Sequence, residues 1–267
     1  MPQTIPYWHV DAFSARPFGG NQAAVMVLDE WLPDDVLVAI GGENLFAETA
    51  FVVRDPTGEA DWELRWCTPT YEIALCGHAT LASGHILLTR DGGERITFRT
   101  RKSGILEVVK AGEGYELALP AIATQPDTRE NQAEAIRLLG VEPLEVYRSQ
   151  LGHNIYLFEN EAAVRALTPD VRGLEKLGQD QFIVTAPGDK TDIVSRVFVP
   201  GGGVDEDSVT GSAHAVLTPY WAKRLGRESF TAHQASQRGG DLTLRLDGKK
   251  AWLGGPCVTV VEGSFTL

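Results

Sequence analysis

The sequence predicts an α+β protein built from two similar, pseudo-twofold domains, each a mostly antiparallel sheet curled around one central helix. Three observations lead there. Leu75-Cys76-Gly77-His78-Ala79 and Val209-Thr210-Gly211-Ser212-Ala213 each run into an apolar stretch, and they stand half the length of a 267-residue chain apart. At nearly the same offset, Arg65-Trp66-Cys67-Thr68-Pro69 answers Arg196-Val197-Phe198-Val199-Pro200, and Gly20-Asn21 answers His153-Asn154. Similarity at a fixed offset marks a repeated unit. The third observation is one nearly charge-free helical stretch per half, flanked by many short alternating segments, a pattern that buries the helix against its own sheet.

Taken in order, Tyr7 to Phe13 alternates as a strand, and Ser14 to Gly20 is a loop leading through Asn21 into the strand Ala23 to Leu28. Pro33-Asp34-Asp35 opens a short helix over Asp34 to Ile40, with proline at its start and acids beside the unpaired amides. Asn44 to Val53 begins as a turn and becomes a strand holding the polar pair Glu48-Thr49, and Asp61 to Cys67 is the next strand. Gly77 to Thr89 is the first long helix, stopped by Asp91-Gly92-Gly93. Arg95 to Arg101, Ile105 to Val109 and Tyr115 to Leu119 are strands parted by glycine-bearing turns. A polar span, Ala123 to Glu130, links the halves.

The second half opens with a helix over Glu130 to Leu139 and strands at Pro143 to Gln150 and Asn154 to Phe158. Helices follow at Glu161 to Leu167 and Val171 to Leu177, then strands at Gln181 to Ala186 and Asp192 to Phe198. Gly201-Gly202-Gly203 opens a loop, and the second apolar helix runs from Thr210 or Gly211 to about Leu225. Strands at Phe230 to Gln234, Asp241 to Asp247 and Lys250 to Leu267 complete the chain. The domains are expected at 1–122 and 123–255, with the strand 256–267 free to return to the first and the active site in the cleft between them.

Composition bounds the function. An apolar fraction of 43% with 22% charged residues belongs to an ordinary globular protein. A formal charge of −12 and a pI near 5.0 argue against nucleic-acid and anionic-membrane partners, which need basic footprints. A small anionic substrate stays compatible, because a few local donors outweigh diffuse surface charge. Three cysteines without framework spacing, no signal-like N-terminus and no 18-residue apolar run point to a cytoplasmic protein.

The candidate chemistry sits at the two helix starts. Gly77 and Gly211 put small residues where backbone must approach something closely, and first-turn amides favour a carboxylate or phosphate. Ser212 adds a donor. Ordinary capping by Thr210 or Ser212 is the competing explanation, weakened by the recurrence at half-chain spacing. Glu48 lies among Leu45, Phe46, Ala47, Ala50 and Phe51, and a carboxylate in partly apolar surroundings suits proton transfer near neutral pH; an exposed position on a half-buried strand explains it equally well. Asp207 can accept bonds from helix amides or a histidine, or share a proton with a substrate. His78 and His214 occupy first-turn slots where a neutral imidazole is favoured over a cation. Asn21 and Asn154 either hold substrate or close turns.

Other signals fail. Gly201-Gly202-Gly203 lacks the continuation of a phosphate-binding loop, and no dinucleotide fingerprint or Gly-x-Ser-x-Gly elbow occurs. Cys67 and Cys76 have no matching pair for structural zinc, and His78 and His85 lack a third ligand in sequence. No metal and no cofactor is expected.

Several segments together resemble the phenazine-biosynthesis PhzF-like family, within the diaminopimelate epimerase-like fold. They are Asp11-Ala12-Phe13 with Pro17-Phe18-Gly19-Gly20-Asn21; Glu43-Asn44-Leu45-Phe46-Ala47-Glu48-Thr49; and Leu75-Cys76-Gly77-His78-Ala79-Thr80-Leu81-Ala82. Glu206-Asp207-Ser208-Val209-Thr210-Gly211-Ser212-Ala213-His214, Pro219-Tyr220-Trp221 and Gln234-Ala235-Ser236-Gln237-Arg238-Gly239-Gly240 follow in family order. The resemblance implies two barrel-like domains, an interdomain active site, a homodimer and no cofactor. In the phenazine-pathway member a glutamate moves a proton between carbons of a cyclic diene carboxylate, a role that falls on Glu48, with His78 and Asp207 matching the assisting residues. Gly77, Gly211 and Ser212 match the substrate-facing helix starts. Ser208 stands where the family usually has proline, and Phe46-Ala47 replaces a more polar pair. The related epimerases use two cysteines ahead of the helix glycines; this chain has Cys76 in the first slot and Thr210 in the second, which leaves a symmetric two-thiol mechanism unsupported.

The sequence therefore points to a cofactor-independent isomerase acting on a small carboxylated metabolite, with Glu48, His78 and Asp207 as the acid/base set and Asn21, Cys76, Gly77, Thr210, Gly211 and Ser212 around the substrate. A single-base epimerase or racemase is the nearest alternative. A non-enzymatic cleft protein that binds a metabolite or another protein is the alternative of a different class.

Overall fold

A computed structural model describes residues 3–129 and 132–267. The chain divides into two compact units, Met1–Leu119 with Gly254–Leu267, and Pro120–Leu253. The first contains β1 (Thr4–Ala12), β2 (Asn21–Val27), α1 (Asp34–Asn44), β3 (Glu48–Arg54), β4 (Trp62–Cys67), β5 (Glu72–Ile73), α2 (Gly77–Asp91), β6 (Arg95–Thr100), β7 (Ile105–Ala111) and β8 (Gly114–Pro120). The second contains β9 (Gln125–Pro126), α3 (Gln132–Leu139), β10 (Glu145–Arg148), β11 (His153–Leu157), α4 (Glu161–Ala166), α5 (Val171–Glu175), β12 (Gln181–Pro187), β13 (Ile193–Val199), β14 (Val204–Asp207), α6 (Gly211–Leu225), β15 (Ser229–Gln234), β16 (Gly240–Asp247) and β17 (Lys250–Gly255). The last strand, β18 (Cys257–Thr266), pairs antiparallel along all of β1 in the first unit.

The two units repeat one topology. In the first, β2 runs antiparallel to β1 and parallel to β3, β3 runs antiparallel to β4, and β4 lies parallel to β6. In the second, β11 runs antiparallel to β10 and parallel to β12, β12 antiparallel to β13, and β13 parallel to β15. Most ladders are antiparallel, as the alternating strands predict, with two parallel pairings in each unit among the described residues. Each parallel pair puts two strand beginnings side by side, which matters for the site below.

Helix α2 has contacts with β1, β2, β3, β6, β7 and β18, so its unit's sheet wraps it. Eleven of its fifteen residues are buried, which explains the near absence of charge. Ten of the fifteen residues of α6 are buried as well, and Trp221 Nε1 donates to Thr185 Oγ1 at 3.1 Å to tie the helix to β12.

Some boundaries differ from those read in the sequence. Helix α1 extends through Gly41 and Gly42 to Asn44 and ends at Leu45, whose φ of 54° is left-handed. The span after Gly203 is not all loop: a 3-10 turn, Pro200–Gly202, leads into β14, which carries Asp207 against β13. Pro256 splits the tail into β17 and β18. The expected start of α3 at Glu130 lies outside the described residues.

At Gly84 the backbone of α2 passes so close to β7 that a Cβ there would lie 2.5 Å from Val108 Cγ1. Replacing glycine by alanine gains about 1 kcal/mol of helix propensity, while overpacking a dense core costs about 1–3 kcal/mol. The contact is well inside van der Waals distance, so overpacking should win. Gly84→Ala is expected to lower stability by about 1–2 kcal/mol, and adding Val108→Ala should recover part of the loss in urea unfolding. A Gly84→Ala protein as stable as the parent would contradict this packing.

Candidate active site

In the first unit, Asn21 is the first residue of β2 and Glu48 the first of β3, and these strands lie parallel with Ala23 opposite Glu48. Both side chains therefore emerge at the same end of the sheet. Gly20, at φ 64°, turns the chain into β2; a Cβ there would meet Ala12 O at 2.1 Å, so no other residue fits. Buried Asp11 holds the preceding loop by accepting from Phe18 N at 2.8 Å. On the other side, Asn44 Nδ2 donates to Thr49 Oγ1 at 3.0 Å, tying the end of α1 to β3, and the Phe46 ring packs 4.4 Å from that of His9.

The start of α2 supplies the third side chain. His78 is buried, and its Nε2 lies 3.3 Å from Oε2 of half-buried Glu48. On its other side, Nδ1 lies 3.1 Å from Asn21 Nδ2 and 3.6 Å from Cys76 Sγ. An amide NH2 only donates, so Nδ1 accepts, and the proton of the neutral ring sits on Nε2, facing Glu48. Asn21, which the sequence left between substrate holding and turn closure, thus fixes the imidazole. Cys76 is the N-cap of α2 and makes no side-chain capping bond, so the first-turn amides at Gly77 are not satisfied by their own cap.

The second unit repeats this arrangement with different chemistry. Gln181 begins β12, opposite His153 at the start of the parallel strand β11, in the place that Glu48 holds in the first unit. Ser212 follows Gly211 as His78 follows Gly77, and Gln181 Nε2 donates to Ser212 Oγ at 2.9 Å. Thr210, the N-cap of α6, makes no side-chain capping bond either; its Oγ1 instead donates to Asp207 Oδ2 at 2.6 Å. Fully buried Gln234 locks this corner: its Oε1 accepts from Thr210 N at 2.8 Å, and its Nε2 donates to Asp207 O at 2.7 Å. Gln181 and Gln234 were not singled out as functional residues. An uncharged amide carries no chemical flag, although the offset from Glu48 to Gln181 was available from the repeat.

Other candidates turn out to be structural. Asn154 accepts from Arg129 Nη2 at 2.8 Å and donates to Asp180 Oδ2 at 3.0 Å, so its amide is committed to the fold. Glu206 is paired with Arg196, whose Nε lies 2.7 Å from Oε1. His85 contacts Tyr115 and Thr259, away from His78. Burial, with help from Glu72, pushes the Cys67 thiol up to about 11, which keeps it protonated and unreactive. Cys76 is different in setting, since one ligand atom each from Glu48, Cys76 and His78 all lie within 4.8 Å of one another, a three-donor group that sequence spacing did not disclose.

His214 is fully buried; its Nδ1 donates to Thr210 O at 2.8 Å, and Nε2 lies 3.4 Å from Ser195 Oγ. Desolvation drives its pKa down to about 4, so it is neutral as the sequence suggested. An unfolded histidine titrates near 6.5. Between those values the unfolded chain binds the extra proton and the folded one does not, so stability falls as pH drops through that window. His214 is expected to contribute a loss on the order of 3 kcal/mol between pH 7 and pH 4, and His214→Asn should flatten that part of the pH dependence in urea unfolding. An unchanged slope would contradict the assignment.

Comparison with known proteins shows what the chain is similar to. The profile of a family described as phenazine biosynthesis-like protein matches residues 10–263. An uncharacterized isomerase of Pseudomonas aeruginosa is 46% identical over 98% of this chain and 99% of its own length. The human phenazine biosynthesis-like domain-containing protein is 37% identical with the same coverage. Among solved structures, a phenazine biosynthesis protein of the PhzF family from Enterococcus faecalis has a TM-score of 0.92 at 40% identity, covering 99% of this chain and 100% of its own. A predicted epimerase from Pseudomonas aeruginosa shares the fold, with a TM-score of 0.76 at 20% identity, covering 98% of this chain and 99% of that one.

Proposed function

The chain belongs to the phenazine biosynthesis-like family, and from that premise we propose that it is a cofactor-independent isomerase that moves a proton on a small carboxylated metabolite, with Glu48 as acid and base. The observation that carries this reading is the Glu48–His78 contact at an α2 start whose N-cap side chain makes no capping bond. An acceptor-only carboxylate beside an imidazole, next to amide donors, provides both a base and a place for a substrate anion. The named isomerases among the relatives are consistent with it.

In the proposed reaction the amides near Gly77 hold the substrate carboxylate. Glu48 takes a proton from an adjacent carbon, the electron pair delocalises toward that carboxylate, and the protonated Glu48, which can exchange with solvent, returns a proton to another carbon. His78, held by Asn21, presents Nε2–H to Glu48 or to the developing charge. Asp207, with its proton donor Thr210, and the start of α6 at Gly211 and Ser212 are proposed as the second unit's substrate-binding set, Asp207 balancing protonation. The pairing of Gln181 with Ser212, where the first unit has Glu48 with His78, favours one base over two. The proposed setting is the cytoplasm and the proposed assembly a homodimer. The three cysteines are free, and among the described residues no helix is long and apolar enough to cross a membrane.

A single-base epimerase uses the same groups and returns the proton to the opposite face of the same carbon; Cys76, 3.6 Å from His78, is the observation that favours it. Both readings are tested by incorporation of deuterium from solvent into candidate carboxylates. Glu48→Gln keeps the shape and removes the base, so exchange should fall by roughly 10²–10⁴-fold with the fold intact. Near-normal exchange in that variant would refute the role. Loss of optical rotation without a shift of a double bond would select the epimerase. Ser212→Ala is expected to raise KM several-fold with kcat nearly kept, as for loss of uniform binding; unchanged kinetics would remove the second helix start from the site.

A further inference from the structure

The cluster at the start of α2 has a donor set that proton transfer does not require. We propose that Glu48, Cys76 and His78 form a binding site for a single zinc ion, and that zinc bound there shuts off the proton chemistry by occupying the base. The three residues offer a carboxylate oxygen, a thiolate sulfur and an imidazole nitrogen, one atom from each lying within 4.8 Å of the others. The Nε2–Oε2 distance is 3.3 Å and the Sγ–Nδ1 distance 3.6 Å. Ligand-to-ligand edges of a tetrahedron at zinc bond lengths are about 3.3–3.8 Å. Those two observed edges use opposite ring nitrogens, so seating the ion needs a turn of the ring or of the carboxylate, within the reach of side-chain torsions.

The donor chemistry selects the metal. Calcium and magnesium want oxygen ligands throughout, whereas a mixed sulfur, nitrogen and oxygen set is that of zinc and its spectroscopic substitute cobalt(II). Thiolate and carboxylate together neutralise the dication. Two of the three ligands are buried and Glu48 is half-buried, which leaves the fourth position toward the open side of the cluster. The positive end of α2 opposes a cation, and the Glu48 carboxylate beside it offsets that field. Asn21 is already beside Nδ1; with its amide turned over, Oδ1 can accept from Nδ1–H and fix a ring that binds through Nε2. Binding releases the thiol proton to solvent, and no oxidant or reductant is involved.

The test uses the full-length protein, stripped of metal and kept reduced, titrated with cobalt(II). One equivalent should produce a thiolate-to-cobalt charge-transfer band in the near ultraviolet, and zinc should displace it. Cys76→Ser should abolish the band, while Cys67→Ser should retain it. Glu48→Gln should keep the band but weaken zinc binding in calorimetry by at least the roughly 10–100-fold that even an outer-sphere change costs. Because Glu48→Gln carries its own calorimetric readout, a poorly folded Cys76→Ser protein would still leave the site testable. No band with the parent protein, or a band surviving in Cys76→Ser, would overturn the site. Exchange activity undiminished by one bound equivalent of zinc would overturn the inhibition. The spectroscopic readout does not depend on the isomerase assignment, so failure of either proposal can be recognised separately.

Discussion

The arrangement at the first helix start depends on one imidazole being held in one tautomer. Asn21 donates to Nδ1 of His78, so the ring proton is left on Nε2, 3.3 Å from the Glu48 carboxylate. Everything around that bond serves to keep three side chains in register. Gly20 turns the chain where a Cβ cannot fit, Asp11 ties down the loop before it, and the parallel pairing of β2 with β3 brings Asn21 and Glu48 to one end of the sheet. The helix then delivers His78 from a third direction. A loop could present the same three residues, but a strand pair and a buried helix fix them with less conformational entropy left to lose on binding.

The repeat makes the asymmetry of the molecule informative. Both units place a small residue, a helix start and the beginning of a strand together, yet one carries Glu48, His78 and Cys76 where the other carries Gln181, Ser212 and Thr210. The first set can exchange protons; the Gln181–Ser212–Thr210 set can only orient and make neutral hydrogen bonds. Asp207 is the exception in the second unit, and its carboxylate accepts from Thr210 while Gln234 grips its backbone. The motif therefore repeats in outline and not in residue type.

Much of this was legible in the sequence because it rests on local signals. The two central helices were visible as long runs without charge, and their starts as glycines at half-chain spacing. Glu48 was visible as a lone acid among core residues. The parallel ladders were not, because they join strands through long connections and leave no mark in either strand's own alternation. Strand β14 was hidden by Gly201 to Gly203, which read as loop, although the chain recovers pairing immediately afterwards. Gln181 and Gln234 were hidden for a chemical reason: an amide becomes informative only when its partners are known. The spacing of Cys76 from Cys67 excludes a zinc pair between them but does not reveal that Glu48 and His78 are its neighbours.

The most direct measurement of the central claim is a long-range proton–nitrogen correlation spectrum of the nitrogen-15-labelled protein, with the His78 ring assigned by substitution and recorded where that ring is neutral. The account predicts a protonated Nε2 and a bare, hydrogen-bond-accepting Nδ1. A His78 ring with its proton on Nδ1 would contradict it, since Nε2 would then have no proton to present to Glu48.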